Sequence, residues 1–245
     1  MVAVSEGSGG QVFLLDPSEV ASSATLLLAR DGLDETLRRV VGELEPGDRA
    51  FDVDVDSSVE RVLFSISLQC LQAVEVVRPS GAAVAAADPD VTWTAYQAGR
   101  QIGVRDPEPG RWQVRLAGKG LLFMVVNARS DLSLDGVRLV REGGRPGHEG
   151  FFRDDTPLVP GTRRLIEIRV SASLRAPALE MRTSSDERLG PLAPTHAFVD
   201  GDEQVLMAEF DVPTVPFRVV VSGSDATGKT VQRVQGSLFQ LSRSR

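Results

Sequence analysis

Along most of this chain, apolar side chains return every second residue, and that period suits strands, not helices. Val62, Phe64, Ile66 and Leu68 alternate with Leu63, Ser65 and Ser67, and Trp112, Val114 and Leu116 alternate with Gln113, Arg115 and Ala117. Phe51, Val53 and Val55 alternate with Asp52, Asp54 and Asp56. Turn signals fall between such runs: Glu45-Pro46-Gly47-Asp48, Pro79-Ser80-Gly81, Asp106-Pro107-Glu108-Pro109-Gly110 and Gly118 to Gly120. Short alternating segments punctuated every eight to twelve residues predict an antiparallel sandwich or barrel.

Only the N-terminal stretch departs from this pattern. Gly9-Gly10-Gln11-Val12-Phe13-Leu14-Leu15 is expected as a short strand. Asp16-Pro17-Ser18-Glu19 opens a helix, with Asp16 as N-cap and Glu19 three residues on, running to about Arg30 before Gly32. Residues 33–44 are ambiguous. Leu33, Leu37, Val40, Val41 and Leu44 fit helical spacing, but the Pro-Gly turn just beyond them equally allows a hairpin.

Residues 141–150 hold four glycines and a proline and form the best boundary or long-loop candidate. Beyond them the two-residue period resumes in 165–170, 178–181, 205–210, 217–221 and 231–239. The expected organisation is a strand-helix remnant over 1–32, one β-sandwich over 33–141 and a second over 150–242.

With 245 residues, 42% hydrophobic and 25% charged, the chain can bury two ordinary cores. A net charge of -7 disfavours nucleic acid and anionic membrane as partners. No apolar run approaches a membrane span, and Met1 to Gly10 lacks the basic and apolar parts of a leader. The single cysteine, Cys70, allows no intrachain disulfide and no cysteine zinc site; a buried small apolar role is expected for it.

Several chemistries are suggested and then weakened by their surroundings. Gly223-Ser224-Asp225-Ala226-Thr227-Gly228-Lys229-Thr230 matches a phosphate-binding P-loop. A P-loop needs a helix after it, and Val231, Arg233 and Gln235 alternate with Gln232, Val234 and Gly236, so a hairpin loop is expected. Asp52, Asp54 and Asp56 resemble the first ligands of a calcium loop, but Ser57 and Leu63 stand where glycine and glutamate belong. Asp200-Gly201-Asp202-Glu203 reads as a turn, and His148 and His196 lie in separate loops. Trp93 and Trp112 are core candidates; an exposed Trp93 or Tyr96 beside polar groups would suit a sugar ligand. No catalytic, cofactor or metal residue is assigned, and no enzyme is expected.

Taken in order, these segments resemble a known family. Gly10-Gln11-Val12-Phe13 with Leu15 and an Asp-led helix is similar to the end of a von Willebrand factor A domain, and Val55-Asp56-Ser57-Ser58-Val59 is similar to the segment after that domain. Asp106 to Val114 resembles an "EPG-x-W-x-V" hairpin, and Pro216-Phe217-Arg218-Val219 through Phe239 the close of the next module. The whole resembles the region after the A domain in the hemicentin and von Willebrand factor A domain-containing protein 7 family. That resemblance implies a galactose-binding-like sandwich and then an immunoglobulin-like one, a secreted setting, and a structural or adhesive role with protein partners. It also favours a hairpin over a second helix at 33–55. The A domain's metal-binding Asp-x-Ser-x-Ser motif is absent, and so is the immunoglobulin cysteine pair.

Overall fold

The computed structural model describes residues 2–171 and 174–242. Its elements in chain order are α1 (Val2–Ser8), a 3-10 turn (Pro17–Ser22), α2 (Ser23–Leu28), then β1 (Glu35–Val55), β2 (Val59–Val77), β3 (Val91–Tyr96), β4 (Gly99–Arg105) and β5 (Gly110–Ser130). Next come β6 (Leu134–Gly143), β7 (Gly150–Arg153), β8 (Arg163–Val170), β9 (Arg175–Arg182), β10 (Arg188–Leu192), β11 (Pro194–Asp200), β12 (Glu203–Asp211), β13 (Arg218–Ser224) and β14 (Thr230–Val234). All named pairings are antiparallel. The mostly β expectation therefore holds, and a sandwich accounts for it.

The N-terminal half is one sheet in the order β1-β5-β2-β4-β3, and it supplies both of its own layers. Phe64 lies opposite Val126 of β5, whereas Trp112 lies fourteen residues earlier on the same strand. A straight strand would separate those two levels by roughly 46 Å. The Phe64 and Trp112 rings are 5.8 Å apart, so the strands fold back. The corner crosses three neighbours at one level: Leu44 pairs with Gly120, Gly47 with Gly118, Cys70 with Lys119 and Leu71 with Gly118. Ladder irregularities fall there, between Leu44 and Gly47, Leu68 and Cys70, and Leu71 and Ala73, as bulges do where a sheet turns sharply. Gly118 permits the close approach: a Cβ there would overlap the Cys70 carbonyl oxygen and come within 2.7 Å of Leu68 Cδ2.

Two expected turns are thereby corrected. Glu45–Asp48 and Gly118–Gly120 do not reverse the chain; they bend strands that continue beyond them. Residues 33–44 are neither a helix nor half a hairpin but the first part of β1 from Glu35 onward. The turn at 79–81 stands, closed by Gly81 N–H to Arg78 C=O at 2.9 Å. So does the one at 106–110, where Trp112 Nε1 donates to the Glu108 carbonyl at 2.8 Å.

The C-terminal half packs the sheet β10-β9-β13-β14 against β11-β12-β8-β6-β7. Ile166, Ile168, Leu206, Phe217, Val219 and Val221 fill the space between. The glycine-rich stretch 141–150 is the tip of the β6–β7 hairpin, with its loop at 144–149. Because β6 also pairs with β8, residues 134–141 belong to the C-terminal sheets, not to the first half. The β14 ladder stops at Val234, short of the expected 239.

At the N-terminus the capping box forms as expected. Asp16 accepts from Ser18 N–H at 2.9 Å, and Glu19 Oε2 accepts from Asp16 N–H at 3.0 Å. The stretch expected as a strand at 9–15 joins no sheet among the described residues. Instead, Val12 and Leu14 cover Val41 and Phe123 on the outer face of the folded sheet.

Candidate functional site

The P-loop look-alike is a hairpin between β13 and β14, with Asp225 N–H bonded to the Lys229 carbonyl at 2.9 Å. A P-loop cradles phosphate with free amides; here a carboxylate holds them. Asp225 Oδ1 accepts from the amides of Thr227 (2.8 Å) and Lys229 (2.9 Å) and from the Thr227 hydroxyl (2.7 Å). Its Oδ2 accepts from the Ser57 hydroxyl at 2.6 Å. Burial opposes ionisation of Asp225, but the Ser57 and Thr227 hydroxyls and the loop amides prevail and hold it well below the usual carboxylate range. Lys229 points to solvent.

The other sequence candidates are dispersed. Asp52 accepts from Gln113 Nε2 (3.2 Å) and Asp54 from Arg111 Nε (3.3 Å) on the surface, while Asp56 is fully buried. Asp200 and Glu203 close the β11–β12 hairpin and share Arg169 Nη1, at 3.0 and 2.8 Å. His148 is exposed in the β6–β7 loop, and His196 on β11 stands 5.8 Å from Phe151 on the opposite edge strand of its sheet. Among the described residues no group of three or more His, Cys, Asp or Glu could hold a metal ion.

Three side chains sit where their expected roles do or do not allow. Trp112 is fully buried against Phe64, as expected for a core residue, with Arg78 over its ring at 5.6 Å. Tyr96 is buried, not exposed. Its hydroxyl donates to the Ile66 carbonyl at 2.7 Å and meets Ser67 Oγ at 2.9 Å. Burial pushes the phenol up to about 12, against the lowering effect of Ser67. Cys70, expected inside, is exposed at the corner of β2.

What sequence reasoning missed is a polar junction between the halves. Arg233 on β14 is fully buried and donates to Asp56 Oδ2 (2.7 Å), Ser130 Oγ (2.7 Å) and the Leu132 carbonyl (2.9 Å). Glu35 lies 3.8 Å from the same guanidinium. Burial raises the Glu35 pKa, opposed by the Leu134 amide and Arg233. Beside this group, Gln232 Nε2 donates to the Leu37 carbonyl at 2.8 Å. Farther along β1, Val41 N–H donates to the Ser184 carbonyl at 2.7 Å, and Arg38 pairs with Asp186. These bonds cover the β1 edge that would otherwise offer bare N–H and C=O groups. Asp56 falls in the run Val55-Asp56-Ser57-Ser58-Val59, but nothing local marks Arg233 as its partner 177 residues away.

The arrangement can fix two β units rigidly against each other, and it leaves β11 as an exposed edge strand. All seven β11 residues are exposed, including Phe198 at 44% and Val199 at 64%. Gly201, with φ 63°, takes the first central position of the two-residue hairpin, where a type II′ turn needs glycine. With Asp200 and Glu203 as the closing pair, the Ala197 and Val199 amides point away from β12. Compared with known proteins, the chain matches no family model and no curated sequence.

Proposed function

We propose that this chain is a non-catalytic structural and protein-interaction module of a larger extracellular protein, related to the region after the A domain in the hemicentin and von Willebrand factor A domain-containing protein 7 family. On this reading the folded N-terminal sheet is the galactose-binding-like unit and the C-terminal sandwich the immunoglobulin-like one. The observation that carries the proposal is β11, an exposed edge strand with Asp200 as its only acidic residue, on a body whose two halves are locked by buried ion pairs. A rigid body with one open edge suits strand addition by a protein partner. The lectin-like alternative gains no observation, since Tyr96 is buried and Trp93 packs partly against the core. The nucleotide alternative loses its amides to Asp225.

A binding screen against extracellular proteins tests this, with the chain displayed in multiple copies. Captured partners should be lost with Val199→Pro, which removes an outward amide, and kept with Lys229→Ala. Saturable heat on adding Mg-ATP, abolished by Lys229→Ala, would replace this reading with the nucleotide one.

A further inference from the structure

Arg39 and Arg218 meet where the two halves abut, and each side chain is only 1% exposed. They come from different sheets, Arg39 from β1 and Arg218 from the start of β13. One carboxylate answers both. Glu6 Oε1 accepts from Arg39 Nε at 2.8 Å, and Glu6 Oε2 accepts from Arg218 Nη2. Arg39 gives its remaining hydrogen bonds to the same short stretch: the Gly9 carbonyl (3.2 Å), the Gly10 carbonyl (2.6 Å), Ser5 Oγ (3.1 Å) and the Ser5 carbonyl (3.4 Å). Arg218 Nη1 reaches the Gln235 and Gly236 carbonyls at 3.4 and 3.2 Å. Its Nε is buried and meets no hydrogen-bond partner among the described residues.

The walls of this pocket are built without its occupant. β1 is held by β5, and β13 by β9 and β14. The occupant, α1, has seven residues, too few for a helix to persist in water by itself. It joins the rest through Gly9, with φ 69°, and leaves Val4 73% exposed. Its contacts are polar, and they include Leu238 N–H to the Glu6 carbonyl at 2.8 Å. Two fixed guanidinium forks facing one cleft match the two oxygens of a carboxylate.

We propose that Arg39 and Arg218 form a carboxylate-binding pocket at the junction of the halves, filled in cis by Glu6 on the separable helix α1. The ligand chemistry is a carboxylate carried on a short segment, and the chain is its own resident ligand. The pocket stands on its own geometry and is independent of the extracellular reading and of β11.

Chemical rescue tests it in the full chain. Glu6→Ala vacates the carboxylate position and should lower the melting midpoint. Sodium formate at about 100 mM should then restore roughly 3–5 °C that sodium chloride at equal ionic strength does not. Wild type should show no difference between the two salts, and Glu6→Ala with Arg218→Met should lose the rescue. If Glu6→Ala does not fold in chloride, refolding in formate alone supports the pocket. Failure to refold in both salts, equal midpoints in both, or rescue that survives Arg218→Met overturns it.

Discussion

Replacing Arg233 by Met should unfold the two halves together, and earlier. The guanidinium is fully buried and donates to Asp56, which is fully buried itself. Met fills the stem volume but leaves the Asp56 carboxylate without its cation. Breaking one side of a buried pair costs about 3–5 kcal/mol. At about 2–4 °C per kcal/mol for a chain of this size, the midpoint should fall by roughly 10 °C. The Asp56→Ala change should cost a similar amount, because it strands Arg233 with Glu35 at 3.8 Å as its nearest remaining carboxylate. The double variant should be less destabilised than the sum by about 2–3 kcal/mol, since neither charge is then stranded. Both tryptophans, Trp93 and Trp112, lie in the folded sheet, whereas Arg233 lies in the C-terminal sandwich. Tryptophan fluorescence therefore reports on the half that was not mutated, and far-ultraviolet circular dichroism on both. The two midpoints should coincide in wild type and shift together in Arg233→Met. A fluorescence midpoint that stays put while part of the dichroism signal melts early would refute the coupling.

Single sites carry further expectations. Trp112→Ala should cost about 3–5 kcal/mol, measured by urea denaturation, because it empties a fully buried volume against Phe64; a loss under about 1 kcal/mol would contradict that packing. The only tyrosine is Tyr96, so its absorbance titration is unambiguous and should show a midpoint near 12 in the folded protein. Because folding raises this pKa, the associated stability is intact below about pH 10, the unfolded value, and is lost as the pH climbs toward 12. A native midpoint at about 10 would place the ring in water. Gly118→Ala should destabilise strongly or prevent folding, since its Cβ has no room beside Cys70 and Leu68; a fold of unchanged thermal stability would mean that the corner can relax.

Fold class was legible because alternation is a local property, and burial on one face enforces it. Trp112 was legible as core for the same reason, and the Asp16 capping box because its partners lie three residues apart. The corner was misread for a physical reason. Pro46-Gly47 and Gly118-Lys119-Gly120 carry the backbone freedom of a tight turn, but their effect depends on what runs alongside. Here two such stretches are hydrogen-bonded neighbours, so neither strand can reverse without tearing the other's ladder, and both fold over instead. The junction was invisible because Asp56 and Arg233 are ordinary surface residue types, and only the tertiary fold removes them from water. Cys70 missed its expected place because the bend turns it outward, and the exposed Tyr96 that a sugar site would need is absent because Phe13 packs on its ring and Glu19 accepts from the adjacent Gln97 amide.

A sheet creased along one line across three strands behaves like a sheet of paper folded once: material cannot be added on one side of the crease alone. A residue inserted into β1 between Leu44 and Gly47 would throw every later pair in that strand out of step with β5, and through β5 with β2. In chains descended from a common ancestor, length differences should therefore gather in the 144–149 loop and the 78–90 connection. At the crease they should occur in all three strands together or not at all.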